Sequence, residues 1–381
     1  MPARGRPPEL DDTSPAPRDE RRGSHPQVSA PGAPGRHRLL LVVAAAVVAL
    51  ATAGLLLRGH LPGQQDAPPP PAPVAADYPF GPASAWRTDV SRAPVAADSA
   101  QQVAGLVQQV TQHWGGIASF NVDQFTASWY TAAAGQATTD VAWVDCQHKG
   151  YQPDGLTGED GLLTDVPIPA GARPSPGGDG QLTVYSPSLD RLWEFWQAKQ
   201  VDGRWQACWG GRMDHVSTNV GVFPPGFGAS ASGLAMSAGT VWVDDARAGR
   251  INHALGLAVL QPAAWPRFSW PANRTDGGNP DPHALAEGTR LRLNPDLDLD
   301  GLQLTPIARM VAVAAQRYGF IVTDTAGAVN VGAQLGQPLE DDPDFWTRRL
   351  QGVPSYQVLR GFPWEHLQAL PHDYGKPADA G

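Results

Sequence analysis

Apolar positions recur at helical spacing in two stretches of the chain. The first stretch follows Ser99, with apolar residues at 103, 106, 107 and 110, and it ends at the glycine pair 115–116. The second follows Thr305 and Pro306, a capping residue and a first-turn proline, and it ends at Gly319. The sequence therefore predicts two helices, each with one buried stripe.

Most other apolar residues lie in short runs that are rich in branched and aromatic side chains and are separated by turn residues. These runs are 182–186, 191–197, 205–209, 240–244, 254–260, 290–293 and 320–323. Long loops of Gly, Pro and Ser join them at 150–180, 210–238 and 265–288. Many short strands with turn-rich connections predict a mainly β fold, an antiparallel, jelly-roll-like β-sandwich with the two helices at its periphery.

A third pattern lies near the start of the chain. Residues 39–57 read LLLVVAAAVVALATAGLLL, an uncharged run of 19 residues between Arg38 and Arg58. This length is sufficient to cross a membrane as a helix, and the excess of Arg before it places the N-terminus in the cytoplasm. The alternative is a cleaved signal peptide with its site at 51–53. The leucines that follow this site and the long preceding tail favour an uncleaved helix.

These patterns divide the chain into four segments. We expect a disordered cytoplasmic tail at 1–38, a transmembrane helix at 39–57, a Pro-rich stalk at 58–77 and an extracytoplasmic β-rich domain at 78–381. The protein would then be a single-pass cell-membrane protein. The net charge is −9, although residues 1–58 carry eight Arg against five acids. The remainder is therefore more acidic than the whole, which argues against nucleic acid as a partner.

The chain has two cysteines, Cys146 and Cys208. Outside the cytoplasm such a pair most simply forms one disulfide, and the alternative is two separate buried thiols. No G-x-S-x-G, H-E-x-x-H, Walker A or strand-linked G-x-G-x-x-G sequence occurs, so the sequence predicts no cofactor. The acidic string 294–300 lacks the central Gly and final Glu of a calcium loop, and we interpret it as a solvated loop without a metal.

Three residues are candidates for catalysis. Asp179 lies at the mouth of a strand, Glu194 lies between aromatic residues in W-E-F-W, and His253 opens an apolar strand. A carboxyl group flanked by Trp can act as an acid, and a nearby His can orient a group or move a proton. Each also has a structural interpretation, as a turn Asp, a satisfied Glu and a core His.

The loop sequence FSWPANRTD supplies candidates for substrate binding: Trp270, Arg274 and Asp276. An exposed aromatic ring with Arg and Asp beside it is typical of a sugar contact, although a turn has the same composition. We expect Asp179, Glu194, His253 and Trp270 to converge on one groove, with Trp270 stacked on a sugar ring.

Several motifs occur in an order that resembles a widespread family of secreted or membrane-anchored bacterial proteins, common in actinobacteria, without an established activity. The segments that carry the resemblance are SAWRTDVSRAPV (84–95), PIPAGARPSPGGDGQ (167–181), LWEFWQA (192–198), SASGLAM (230–236), AGRINHAL (248–255), WPA (270–272) and RYGFIVTD (317–324). Where the family has D-x-H, this chain has Asp179-Gly180-Gln181. The resemblance implies a sandwich-like fold and, by association with carbohydrate-binding modules, a role with carbohydrate.

Two functions of different class remain open. The first is a carbohydrate-active enzyme, a glycoside hydrolase or polysaccharide lyase that acts on cell-wall or extracellular polysaccharide. The second is a non-catalytic carbohydrate-binding or cell-envelope structural module, which the missing D-x-H histidine favours. A peptidase or other hydrolase is a third interpretation. The expected partners are a glycan and, through 39–57, the membrane.

The uninterrupted apolar run beyond residue 53 predicts that 39–57 remains in the mature protein. N-terminal sequencing of the membrane-fraction protein measures this directly. A mature chain that starts at Gly54 would show that the segment is a cleaved signal peptide.

Overall fold

The structure is a computed structural model that describes residues 78–113 and 115–378. The predicted tail, transmembrane helix and stalk at 1–77 lie outside the described residues. Among the described residues, no helix has both the length and the apolar character needed to cross a membrane.

The described part of the chain contains fourteen strands and four α-helices. The strands are β1 Ser119–Asn121, β2 Ser128–Thr131, β3 Ala142–Trp143, β4 Leu182–Ser186, β5 Arg191–Trp196, β6 Lys199–Val201, β7 Arg204–Ala207, β8 Trp209–Asp214, β9 Leu255–Val259, β10 Arg290–Leu293, β11 Phe320–Thr325, β12 Asn330–Gly332, β13 Leu335–Gly336 and β14 Leu367–Ala369. The α-helices are α1 Ser99–Gln112, α2 Val243–Ala248, α3 Pro306–Arg317 and α4 Phe345–Arg349.

The strands form three sheets. The order is β1-β12-β9-β11-β10-β14 in a six-stranded sheet, β13-β2-β4-β5-β8 in a five-stranded sheet and β3-β7-β6 in a small third sheet. The prediction of a mainly β fold is confirmed, but the sheets are mixed and not purely antiparallel. Strands β9 and β11 are parallel, as are β2 and β4. The connection from β9 to β11 contains helix α3 and is long enough for the crossover that a parallel pair requires.

Helix α3 begins as its sequence predicts. The Thr305 hydroxyl accepts a hydrogen bond from the backbone N–H of Ala308, and a proline occupies the first turn. The helix is not peripheral, however. Ile307, Val311 and Ala315 are buried in the core cluster that covers the six-stranded sheet. Small residues on its other side allow close packing around most of its circumference.

The strand expected at 240–244 is replaced by helix α2. The carboxylate of Asp245 accepts a hydrogen bond from the backbone N–H of Trp242, which fixes the first turn. Gly249 ends the helix in the left-handed conformation, at φ 71°. Local capping therefore overrides the apolar pattern TVWV that suggested a strand.

The predicted disulfide between Cys146 and Cys208 is confirmed, with the two Cα atoms 5.6 Å apart. Cys208 lies between β7 and β8, and Cys146 lies in the long connection from β3 to β4, whose part at 146–151 we call the disulfide-tied loop. The bond therefore ties this loop to the edge of the five-stranded sheet.

We expect the double substitution Cys146→Ser with Cys208→Ala to lower the free energy of unfolding by about 4 kcal/mol, because it releases a long closed loop in the unfolded chain. Urea denaturation of the variant and of the wild type measures the difference. Reduction of the wild type should reproduce it. A loss below about 1 kcal/mol would mean that this loop closure contributes little to stability.

Candidate functional site

The described part of the chain contains a cleft of about 950 Å³. Its lining comes from strands β1, β11 and β12 of the six-stranded sheet and from β5 and β8 of the five-stranded sheet. The disulfide-tied loop and the loops around 226–231 and 274–276 complete it. The cleft thus lies where the two large sheets and the loops that connect their strands meet.

One side of the cleft is aromatic. Trp196 and Trp209 are paired directly across β5 and β8, and both line the cleft. The indole N–H of Trp209 donates to the carbonyl of Gly226 at 3.1 Å, and the Nζ atom of Lys149 lies 4.1 Å from the centre of the Trp209 ring. Tyr151 and Phe125 add two further exposed rings to the lining.

The cleft also contains a carboxyl cluster, which we define as Asp276, Glu287 and Asp324. One carboxylate oxygen from each residue lies within 4.8 Å of the others. Asp276 and Asp324 line the cleft, whereas Glu287 is fully buried behind them.

A bulge in β11 positions Asp324. The register with β9 shifts between Val322 and Asp324, so that the alternation of side chains changes at this point. The Asp324 carboxylate accepts hydrogen bonds from the backbone N–H of Ala231 at 3.2 Å and of Thr325 at 2.9 Å. The neighbouring Thr325 hydroxyl donates to Asp276 at 2.5 Å, which links two members of the cluster.

A tight turn before β10 positions Glu287. Gly288 in this turn has φ 86°, and a Cβ atom there would lie 1.6 Å from the carbonyl oxygen of Ser269. The backbone carbonyl of Glu287 accepts from the N–H of Ser269 at 2.7 Å. Only a glycine allows the chain to approach Ser269 this closely, and the approach carries Glu287 into the interior.

Burial dominates the electrostatics of the carboxyl cluster. Burial, together with the nearby carboxyl groups of Asp324 and Asp276, raises the pKa of Glu287 to about 10. Burial and the nearby Asp276 raise the pKa of Asp324 to about 7. Neither carboxylate oxygen of Glu287 has a well-formed hydrogen bond within the described residues. The cluster is therefore a place where negative charge is poorly compensated.

Arg274 lies beside the cluster but directs its donors elsewhere. Its guanidinium donates to the carbonyls of Ala231 at 2.9 Å, Ser230 at 2.6 Å and Gly228 at 3.1 Å, and also to that of Gly226. Burial lowers its pKa to about 10, against the opposing effect of the three nearby acids. Arg274 lines the cleft, as its predicted role in substrate binding requires, and it also holds the loop at 226–231 in place.

Asp179 reaches the cleft, where the indole N–H of Trp196 donates to its carboxylate at 3.3 Å. Gln181, two residues further on, also lines the cleft. Its side-chain oxygen is buried and has no hydrogen-bond partner within the described residues. A buried acceptor of this kind is satisfied most simply by a ligand that donates a hydrogen bond.

Glu194 lies in the core and not in the cleft lining. Its carboxylate accepts from the backbone N–H of Met236 at 3.0 Å, from that of Ser237 at 2.9 Å and from the Ser237 hydroxyl at 2.6 Å. Burial raises its pKa. Strand β5 lies between β4 and β8, and Trp193, Glu194 and Phe195 are buried, so only Trp196 at the end of W-E-F-W reaches the cleft.

His253 is also in the core, with 1% of its surface exposed. Its Nε2 atom lies 3.0 Å from the Asp245 carboxylate, and its Nδ1 atom lies 2.8 Å from the carbonyl of Ala254. Its ring stacks on that of Tyr78 at 4.5 Å. The arrangement joins α2 to β9 and gives His253 no route to the cleft.

Trp270 packs against a core cluster that includes Tyr78, Trp86 and Trp242, and it also lies against Gly375 near the end of the described chain. Its backbone N–H donates to Asp373 at 2.7 Å. Of the four residues expected to share a groove, only Asp179 reaches the cleft, and the predicted convergence is wrong for Glu194, His253 and Trp270. Asp276, predicted as a substrate contact, does line it.

Sequence reasoning singled out neither Glu287 nor Asp324 as a candidate site residue. The one local signal was position, because Glu287 comes just before strand β10 and Asp324 lies at the end of β11. The acidic string at 294–300 has no part in the cluster. Its Asp296 and Asp298 are exposed, and Asn294 and Asp298 each accept a bond from the backbone two residues on.

Comparison with protein families, with curated proteins and with solved structures found no match to this chain. The site is therefore interpreted from its own geometry.

We expect Glu194→Leu to lower the free energy of unfolding by about 3 kcal/mol, because two backbone donors and one hydroxyl lose their buried acceptor. Glu194→Gln keeps one acceptor oxygen and should lose less. Glu159→Gln, at an exposed carboxylate, is the matched control and should change nothing. Equal stability of the Leu variant and the control in urea denaturation would contradict an anchoring role for Glu194.

Proposed function

We propose that the cleft binds a cell-wall or extracellular polysaccharide and that the protein is a carbohydrate-active enzyme of the glycoside hydrolase or polysaccharide lyase class. The observation that carries the proposal is the presence of aromatic rings and carboxylates together in the lining of one cleft. Aromatic rings stack on the apolar faces of sugars, while carboxylates and amides accept bonds from sugar hydroxyls.

The size and composition of the cleft support this proposal. A volume of about 950 Å³ lies at the upper end of the range for small-molecule sites and suits an extended ligand. The unpartnered oxygen of Gln181 offers an acceptor to a hydroxyl. Among the lining residues, Lys149 and Arg274 are the cations, and Arg274 is engaged with backbone carbonyls.

In this proposal Asp179 is the group that transfers a proton when the glycosidic bond is cleaved. It stands on the aromatic side, where stacking on Trp196 or Trp209 would place a sugar next to its carboxylate. The carboxyl cluster would bind hydroxyl groups of the same glycan. Glu194 and Arg274 act through the loop at 226–237, which they hold at its two ends, and are positioning residues.

A non-catalytic carbohydrate-binding module is the second candidate. The observation that favours it is the amide of Gln181 near Asp179, because an amide does not ionise near neutral pH and cannot serve as a general acid or base. Binding would use the same rings and hydroxyl acceptors without bond cleavage.

The proposed location is extracytoplasmic, with residues 39–57 in the membrane and 58–77 as the stalk. The disulfide supports it, because such bonds persist in oxidising compartments.

We expect Trp209→Ala to weaken glycan binding about tenfold through loss of one stacking contact. The full-length chain, kept in detergent, is screened against wall arabinogalactan, mannans and plant polysaccharides for affinity and for released products. Trp265→Ala is the matched control, because Trp265 is 65% exposed and lies outside the cleft. Equal effects of the two substitutions, or no binding to any glycan, would contradict the proposal.

Asp179→Asn distinguishes the two candidates. In an enzyme it should abolish product release and leave affinity within about twofold, since the amide keeps the shape and removes the proton-transferring group. Binding by the wild type without release of any product would identify the binding module instead.

A further inference from the structure

We propose that the carboxyl cluster of Asp276, Glu287 and Asp324 is a binding site for a divalent cation, and that the cation is Ca²⁺. The site has three protein carboxylates on one side and the open cleft on the other. No other described residues bring three potential ligand groups of this kind so close together.

The spacing fits the ion. One oxygen from each carboxylate lies within 4.8 Å of the other two. Oxygen ligands bind Ca²⁺ at about 2.3–2.6 Å, so two ligands on opposite sides of the ion are about 4.6–5.2 Å apart. Three ligands spread evenly around the ion are about 4.0–4.5 Å apart, so separations of up to 4.8 Å are compatible with one ion between the three oxygens.

Glu287 is the independent observation that points to a ligand. It is 0% exposed, neither of its carboxylate oxygens makes a geometrically well-formed hydrogen bond, and one of them lies in the cluster, with the side chains of Asp276 and Thr275 as its nearest polar neighbours. A buried carboxylate without donors is strongly disfavoured unless a cation or a proton neutralises it. A metal ion would satisfy both oxygens at once.

Arg274 is the protein cation beside the cluster, but it makes no direct ion pair with the three carboxylates. Within the residues that the structure describes, no nitrogen of Lys, Arg or His forms an ion pair with any of the three carboxylates. Arg274 is near, but its donors are taken by the carbonyls of 226–231. The positive charge that would normally compensate such a cluster is thus committed to the backbone.

The ligand set selects a hard ion. All three ligands are carboxylate oxygens, and neither Cys nor His contributes, so zinc and copper are not favoured. Mg²⁺ requires a near-ideal octahedron, whereas Ca²⁺ accepts irregular sets of six to eight oxygens. Ligands from a loop, a turn and a strand end suit the more permissive ion.

Three carboxylates leave several coordination positions open, and Asp276 and Asp324 direct these toward the cleft. Resting on the proposed function, we assign the open positions to hydroxyl or carboxylate oxygens of the bound glycan. The cation would then join the carboxyl cluster to the polysaccharide.

Calorimetric titration of the full-length, EDTA-treated chain with CaCl2, in detergent and without glycan, tests the site. We expect a dissociation constant of about 1 mM or tighter and an increase in the temperature of thermal unfolding. Glu287→Gln and Asp276→Asn should each weaken binding at least about tenfold. Asp276 is exposed, so its variant keeps the test valid if the Glu287 variant fails to fold.

Asp298→Asn is the matched control, because it changes the acidic string at 294–300 and should leave binding unchanged. The proposal is overturned if no heat develops up to about 10 mM CaCl2. It is also overturned if Asp298→Asn weakens binding while Glu287→Gln and Asp276→Asn do not. Glycan affinity that is insensitive to EDTA would overturn the link between cation and polysaccharide, while the glycan-binding proposal itself would stand.

Discussion

The cleft depends on one constraint: the long segment between β8 and α2 must pair its backbone polar groups without forming a sheet of its own. Apart from an isolated bridge between Val222 and Leu234, residues 215–236 form no strand. Two buried ionisable side chains supply the partners. The guanidinium of Arg274 donates hydrogen bonds to four carbonyls at 226–231, and the carboxylate of Glu194 accepts hydrogen bonds from two N–H groups at 236–237. Backbone groups that are buried without such partners would oppose folding.

This constraint explains why the charges near the cleft have such different roles. A largely desolvated guanidinium is tolerated only when its N–H groups are hydrogen-bonded and an opposite charge is close. Arg274 meets the first condition through the backbone carbonyls and the second through the carboxyl cluster. The carboxylate oxygens of Glu194 accept hydrogen bonds from backbone and hydroxyl donors, whereas those of Glu287 have no well-formed hydrogen bond within the described residues. The contrast separates a carboxylate that stabilises the fold from one that is available to a ligand.

The two sheets contribute in unequal ways. The five-stranded sheet places two Trp side chains opposite each other at the ends of β5 and β8, and the disulfide keeps the loop with Lys149 and Tyr151 against them. The six-stranded sheet contributes irregularities: the bulge in β11 and the glycine turn before β10. A regular sheet would not have brought Asp324 and Glu287 together.

The sequence by itself determined the mainly β composition, the helix that starts after Thr305 and the pairing of the two cysteines. The strand composition and the helix follow from periodicity and capping residues, which are local features of the sequence. The disulfide follows from the cysteine count, because two cysteines allow only one pair. Only the tertiary structure decided that the sheets are mixed, that helix α3 is central and that Glu194 and His253 are buried. It also decided that Asp276, Glu287 and Asp324 meet. These three residues lie up to 48 positions apart in the sequence, and a bulge and a turn bring them together. The local sequence pattern does not specify which face of a strand a neighbouring strand or loop will cover, so it does not specify which side chains become buried.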